Sequence, residues 1–464
     1  MPKHYRPLTL ARAGELAAVN HLAANTHAAI TPIFQAPPRD WDFETNKFSK
    51  TIQAHLSQLP TKLFNARGTH PAYLDTGLLD SESPIHGLHP LEYLIREANA
   101  LGLPLTPATA PDRSTAYDAA VRNLHHDYSR GAVIVLDDTQ WVTVDPSALP
   151  ATLTRLGLSA ADVDVVIDYG ASDGRLIEAA AVAEVLAVNA LGDFRSVTLG
   201  GGSFPDLQGV ARGITTHPRT DWGTWRSVVA RLTADGHPVP DYFDRLILRA
   251  ESIELRIDPR FISISAALRY TTEDDWLFAK GELFKGQAGK GKGGAALKSP
   301  LAALISHPEY ATPIRTQAED WIEAVVSGAA TPGNPGKWRE WGNSQALRSD
   351  GASPRQDSLT FNRSRTTSRS SGSWSCVARR SHNTTFGLLR TPVAQPRNSS
   401  SSNASSRHSK VHSVKASTFE FHRALRRCRR STASSTGTAS MIPHQAGRRL
   451  RACFTWFDAT TRYA

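Results

Sequence analysis

The 464-residue chain carries a formal net charge of +10 and an ordinary 40% share of hydrophobic residues, but the charge is unevenly spread. Residues 345–464 hold 21 Lys and Arg against 4 Asp and Glu, and the first 344 residues hold 32 against 39, so the basic surplus gives no ground for nucleic-acid binding by the body. Cys376, Cys428 and Cys453 all lie in the tail, which excludes disulfide staples, thiolate metal sites and cysteine nucleophiles from the body.

The N-terminal residues lack the apolar core and small-residue cleavage site of a secretory signal, and no run of about 18 apolar residues follows, so the expectation is a soluble cytoplasmic protein with no membrane partner. Residues 6–10 read as a strand and 13–24 as a helix with apolar positions three and four apart. A strand at 29–34, interrupted by Pro32, precedes a helix at 48–59. The next strand, 71–74, leads into Asp75. An amphipathic helix at 89–100, stopped by Gly102, then a strand at 103–106 and a helix at 114–128 with Ser114 as its cap continue the alternation. Residues 132–136, AVIVL, form the continuous apolar run of a strand buried on both faces. Further on come a helix at 145–156, a strand at 164–167, a helix at 173–191, a strand at 194–199 and a helix at 220–232. Residues 261–270 are the last strong strand and turn through 271–275 into 276–278 as a hairpin. A glycine- and lysine-rich segment at 285–298 and helices at 300–307 and 314–326 complete the body.

Strands alternating with helices at roughly 30-residue spacing imply parallel pairing. Eight such units in about 270 residues fit a (β/α)8 TIM-like barrel. The alternative is a doubly wound open α/β sheet, which would show a glycine fingerprint at its first strand, and none is there. The domain limits read from the sequence are a barrel over about 5–283, a helical extension over about 284–343 and a disordered tail over 344–464.

The tail holds 23 serines and 19 arginines between 345 and 464, with few periodic apolar positions. Three readings compete. A solvated Arg/Ser arm would bind nucleic acid through its guanidiniums; a disordered linker would have no partner; and an out-of-frame translation of a GC-rich gene from near codon 344 would yield such a composition without pattern. The abruptness of the change favours the frameshift.

The order Arg-Ala-Gly-Glu-Leu (12–16), Ser-Val-Thr-Leu-Gly-Gly-Gly-Ser-Phe-Pro (196–205), His-Pro-Arg-Thr-Asp-Trp (217–222), Asp-Tyr (241–242), Leu-Arg-Tyr-Thr (268–271) with Trp276, and Trp-Arg-Glu-Trp-Gly-Asn (338–343) resembles the beta protein family of bacteria and phages. The resemblance covers residues 5–343 and implies a domain extent rather than a mechanism. Relatives continue the last motif into a pair of histidines, whereas Ser-Gln-Ala-Leu follows Asn343 here.

Loops at the carboxyl ends of barrel strands build active sites. Those positions carry Arg12 and Glu15, Asp75, Asp137 with Asp138, Asp168 with Tyr169, the loop Gly200, Gly201, Gly202 and Ser203, and Arg269 with Tyr270. Converging carboxylates, with Asp75, Asp138 and Asp168 foremost, would divide acid and base roles or bind a divalent cation, whereas any one of them taken alone is better explained as a cap for the helix after it. The glycine loop follows the seventh strand, where backbone amides of barrels hold phosphate; a tight turn without a ligand explains it as well. The functional expectation is a barrel that binds or acts on a phosphorylated or otherwise anionic molecule. The alternatives are a non-catalytic recognition module of phage or defence context and nucleic-acid binding by the tail alone.

Overall fold

Apolar runs such as Ala132–Leu136 can be buried on both faces only in a parallel sheet covered by helices, and that is how the chain uses them. The structure is a computed structural model that describes residues 4–171, 174–205, 209–248, 263–286, 290–310 and 315–360, with side chains as far as Leu347. The chain divides into two units, 1–368 and 369–464, and all the described elements belong to the first. The tail expectations beyond residue 360, and the start of the strand expected at 261, lie outside the described residues, while residues 344–360, expected as disordered tail, continue a helix.

In chain order the strands are β1 (Tyr5–Leu10), β2 (Ile33–Gln35), β3 (Trp41–Asp42), β4 (Lys47–Phe48), β5 (Ala72–Asp75), β6 (Leu105–Thr109), β7 (Ala132–Leu136), β8 (Val163–Asp168), β9 (Ser196–Gly201), β10 (Gly213–Pro218), β11 (Asp241–Asp244), β12 (Ile264–Thr271) and β13 (Asp275–Lys285). Eight close into a parallel barrel in the order β1-β11-β9-β8-β7-β6-β5-β2, which establishes the (β/α)8 fold over the open sheet. The closing strand is β11, four residues long and paired with β9 and β1.

That placement corrects the sequence reading of residues 261–270. β12 is not a barrel strand; it pairs antiparallel with β13 in a separate three-stranded sheet, β10-β13-β12. The sheet's pleat divides its residues between two cores. Trp276 and Phe278 join the large core between barrel and helices, while Leu277 and Ala279 join a second core with Leu301, Ile322, Trp338 and Trp341 from the C-terminal helices. Those helices span Lys298–Ile305, Gln317–Ser327 and Pro335–Thr360. No helix among the described residues is long and apolar enough to cross a membrane.

The barrel interior is layered. Leu8, Ile33, Tyr73, Ala108, Val133, Val166 and Phe243 fill its middle. At the amino ends of the strands lies a polar floor. Arg6 donates to Asp241 and, at 3.1 Å, to Thr198, while Tyr73 donates to Asp164 at 2.7 Å. Burial works against the charge of Asp164, but Arg195, Arg6 and Ser196 outweigh it and hold its carboxyl below the usual range. His4 sits at the edge of this floor against the Thr31 hydroxyl, 2.6 Å away. Burial, reinforced by the Arg6 guanidinium, lowers its imidazole from 6.5 to about 4.

Two outcomes follow from the floor. Arg6→Ala leaves Asp241 without its buried partner and is expected to cost about 3 kcal/mol in urea unfolding; a change below about 0.5 kcal/mol would mean the pair is idle. The unfolded chain protonates His4 near 6.5 while the folded chain resists until about 4, so this histidine contributes stability at neutral pH that is lost as pH falls through that window. Urea midpoints measured from pH 7 to pH 4 should fall less steeply for His4→Gln than for the parent.

Candidate functional site

The mouth at the carboxyl ends of the strands has two sides. On the β2-β5-β6 side stands Asp75, which accepts hydrogen bonds from Gln35 (2.8 Å), the Gly77 amide (2.8 Å), Arg113 (3.2 Å) and Tyr117 (3.4 Å). Gly77 lets the guanidinium cross, because a Cβ there would lie 2.3 Å from the Arg113 Cζ. Asp168 at the end of β8 accepts from the Gly170 amide at 2.8 Å and pairs with Arg245, which follows β11. Asp138 is half-buried beside Asp137, which accepts from the amide and hydroxyl of Thr139 in its own turn. Among the described residues no group of three or more His, Cys, Asp or Glu side chains is arranged to hold a metal ion, so the three expected carboxylates do not meet in a cation site.

Close packing accounts for the glycine loop. None of Gly200, Gly201 and Gly202 has a positive φ. A Cβ on Gly200 would lie 1.7 Å from the Phe243 carbonyl oxygen, one on Gly201 would lie 2.4 Å from the Tyr169 ring, and one on Gly202 would lie 2.8 Å from the Arg245 side chain. The Gly202 amide already donates to the Gly170 oxygen at 2.7 Å. The Ser203 hydroxyl accepts from the Asp221 amide at 3.0 Å, in the first turn of the helix Thr220–Ala234. The loop therefore ties β9 to β8 and β11.

Unpartnered polar atoms occur on both sides of the mouth, Gln35 Oε1, Thr76 Oγ1, Thr109 Oγ1 and Arg113 Nε included, but among the described residues only the other side, over β9, β11 and β1, has side chains that lack partners at two atoms. Glu15, in the helix Ala13–Asn20 after β1, is 1% exposed, and neither of its oxygens has a hydrogen-bond partner. Arg12 stands half-buried at the cap position of that helix. The helix Pro335–Thr360 folds back over this region, with Arg339 Nε 3.8 Å from Glu15 Oε1. Asn343 follows Arg339 by one turn on the same face, is fully buried, and has no partner for either amide atom. Arg269 of β12 lies over the Phe204 ring at 5.1 Å with its Nε buried and unpartnered. Burial first, and then repulsion from Arg339, lowers the Arg269 guanidinium to about 10, with Glu15 opposing.

Arg269 and Tyr270, expected together, are neighbours on a strand and so face opposite ways. Tyr270 donates to Glu319 at 2.8 Å within the second core, which removes it from the mouth, whereas Arg269 belongs to it. Sequence reasoning did not single out Arg339 and Asn343. Their signal is an arginine and an asparagine one helical turn apart, each following a buried tryptophan within two residues, on the face of a helix that must pack.

The glycine-loop geometry generates a test. Gly200→Ala is expected to cost about 3 kcal/mol or more in urea unfolding, because the β11 backbone cannot yield to a Cβ. Retained stability with lost ligand binding would instead mark a loop kept bare for a ligand.

No curated protein matches the chain. Among solved structures it is similar to type I 3-dehydroquinate dehydratase from Clostridium difficile, bearing covalently bound modified comenic acid, at 8% identity and a TM-score of 0.32, over 52% of this chain and 84% of that one. It is also similar to two mutant forms of the tryptophan synthase α-subunit from Pyrococcus furiosus, each at 14% identity and a TM-score of 0.30, over 53% of this chain and 90% of that one. The barrel assignment rests on the strand pairing and not on these likenesses. The Beta protein family model matches residues 5–349, beyond the expected limit at Asn343. The structure also keeps Gln345 in the body, where its side chain accepts from the Thr271 amide at 2.7 Å and donates to the Thr271 carbonyl. With most of its length matched, the chain belongs to the Beta protein family.

Proposed function

We propose that the mouth of this barrel binds an anionic small molecule over β9, β11 and β1. The observation that carries this reading is the charge balance. Arg113 and Arg245 each have an aspartate, but Arg269 and Arg339 share the single carboxylate of Glu15 at no hydrogen-bonded distance. Two guanidiniums held near each other and partly desolvated repel, and an anion with oxygens for their forks relieves that cost. The position agrees with the general use of the loops after the last two strands of such barrels for phosphate. In this reading Asp75 and Asp168 position Arg113 and Arg245, and the glycine loop sets the spacing of the strands beneath the anion.

Thermal unfolding with added inorganic phosphate, at constant ionic strength, tests the reading. Phosphate should raise the parent's Tm in proportion to the logarithm of its concentration. Arg269→Met should weaken this binding at least about tenfold while leaving the ligand-free protein as stable as the parent or more so, because it removes a like charge beside Arg339. An equal phosphate response in parent and variant would overturn the assignment of Arg269.

A further inference from the structure

We infer that the anion belongs to a hydroxylated compound, a sugar phosphate or a hydroxy acid, whose hydroxyl groups hydrogen-bond Glu15 and Asn343. This rests on the anion reading of the same mouth and goes further by naming what else the ligand carries.

Each buried group lacks a particular kind of partner. A carboxylate only accepts hydrogen bonds, so the partner that Glu15 lacks must be a donor. Arg339 at 3.8 Å is outside hydrogen-bond reach and does not supply it. Asn343 lacks both an acceptor for its Nδ2 and a donor for its Oδ1. A hydroxyl group answers both needs, since it donates one hydrogen bond and accepts others.

Charge decides between hydroxyl and ammonium donors. Arg269 and Arg339 against Glu15 leave one positive charge in surplus, and Arg12 at the cap of the Glu15 helix adds to it. A carboxylate ligand carrying an ammonium would be neutral overall and leave that surplus in place, and on a phosphate an ammonium would cancel about half of the charge. A ligand whose donors are neutral brings its full negative charge. Bringing Glu15, Arg339 and Asn343 to one face requires the helix Pro335–Thr360 to lie close. Gly14 and Gly342 permit it: a Cβ at Gly14 would be 2.7 Å from the Gly336 carbonyl oxygen, and one at Gly342 would be 2.9 Å from that of Arg269.

A site built to hydrogen-bond a hydroxyl rejects the analogue without it, because its buried polar groups are then left unpaired. The test is calorimetric titration of the full chain with two matched pairs, glycerol 3-phosphate against propyl phosphate and glycerate against propionate. The hydroxylated member of one pair is expected to bind at least about 100-fold more tightly than its partner, and the pair that shows this identifies the anion as phosphate or carboxylate. Glu15→Gln should close the gap between the hydroxylated ligand and its deoxy partner, while the deoxy anion binds at least as tightly as to the parent because a negative charge beside Arg269 and Arg339 is gone. Equal binding within both pairs, or binding of inorganic phosphate with no binding of either hydroxylated compound, would overturn the inference and leave the anion reading standing. If none of the four compounds nor phosphate binds, the anion reading itself falls and takes this inference with it.

Discussion

The close approach of the helix Pro335–Thr360 to the first βα unit and to β12 is the constraint on which the mouth depends. It is made where Gly14 and Gly342 present bare backbone to the carbonyls of Gly336 and Arg269. Around those contacts the helix is held by side chains that each have another job. Trp341 stacks on His21 at 4.8 Å, Glu340 lies 2.9 Å from the His21 imidazole, and Gln345 bonds the Thr271 backbone. A side chain at either glycine would push the helix outward and separate Arg339 from Glu15.

The polar groups of the barrel fall into two kinds. At the floor, Arg6, Tyr73, Asp164, Thr198 and Asp241 satisfy one another and hold the strands in register from inside. At the mouth, Asp75 and Asp168 are similarly saturated; Gln35, Thr76 and Arg113 keep single unpartnered atoms on that side, while Glu15 and Asn343 lack partners at both side-chain polar atoms and lie with Arg269 and Arg339. Buried polar atoms without partners cost about 1–3 kcal/mol each. Their collection in one place is therefore a stronger pointer to function than the presence of carboxylates after strands.

The barrel was legible because its strands are apolar runs at regular spacing, with AVIVL at 132–136 the clearest. The eighth strand was not, since Asp241–Asp244 is four residues with an aspartate at each end, and only its pairing with β1 and β9 makes it a strand. With β11 unseen, the stronger β12 took its place in the count and brought Tyr270 to the mouth in error. Glu15 and Arg269 were legible as polar residues beside strands. Arg339 and Asn343 were visible only as letters of a motif, because what brings them to Glu15 is the return of the helix across the whole length of the body.

That return orders events in time. The backbone pairing that closes the barrel, β1 on β11, involves no residue beyond 244, although Trp276, Phe278, Ala346 and Leu347 complete the core packed around it. Contacts between residues as distant as Glu15 and Arg339 come last when a chain folds as it emerges. The strand pairing is thus available before the binding chemistry is complete, and a nascent chain stopped short of residue 335 would hold β1 against β11 with no Arg339 beside Glu15.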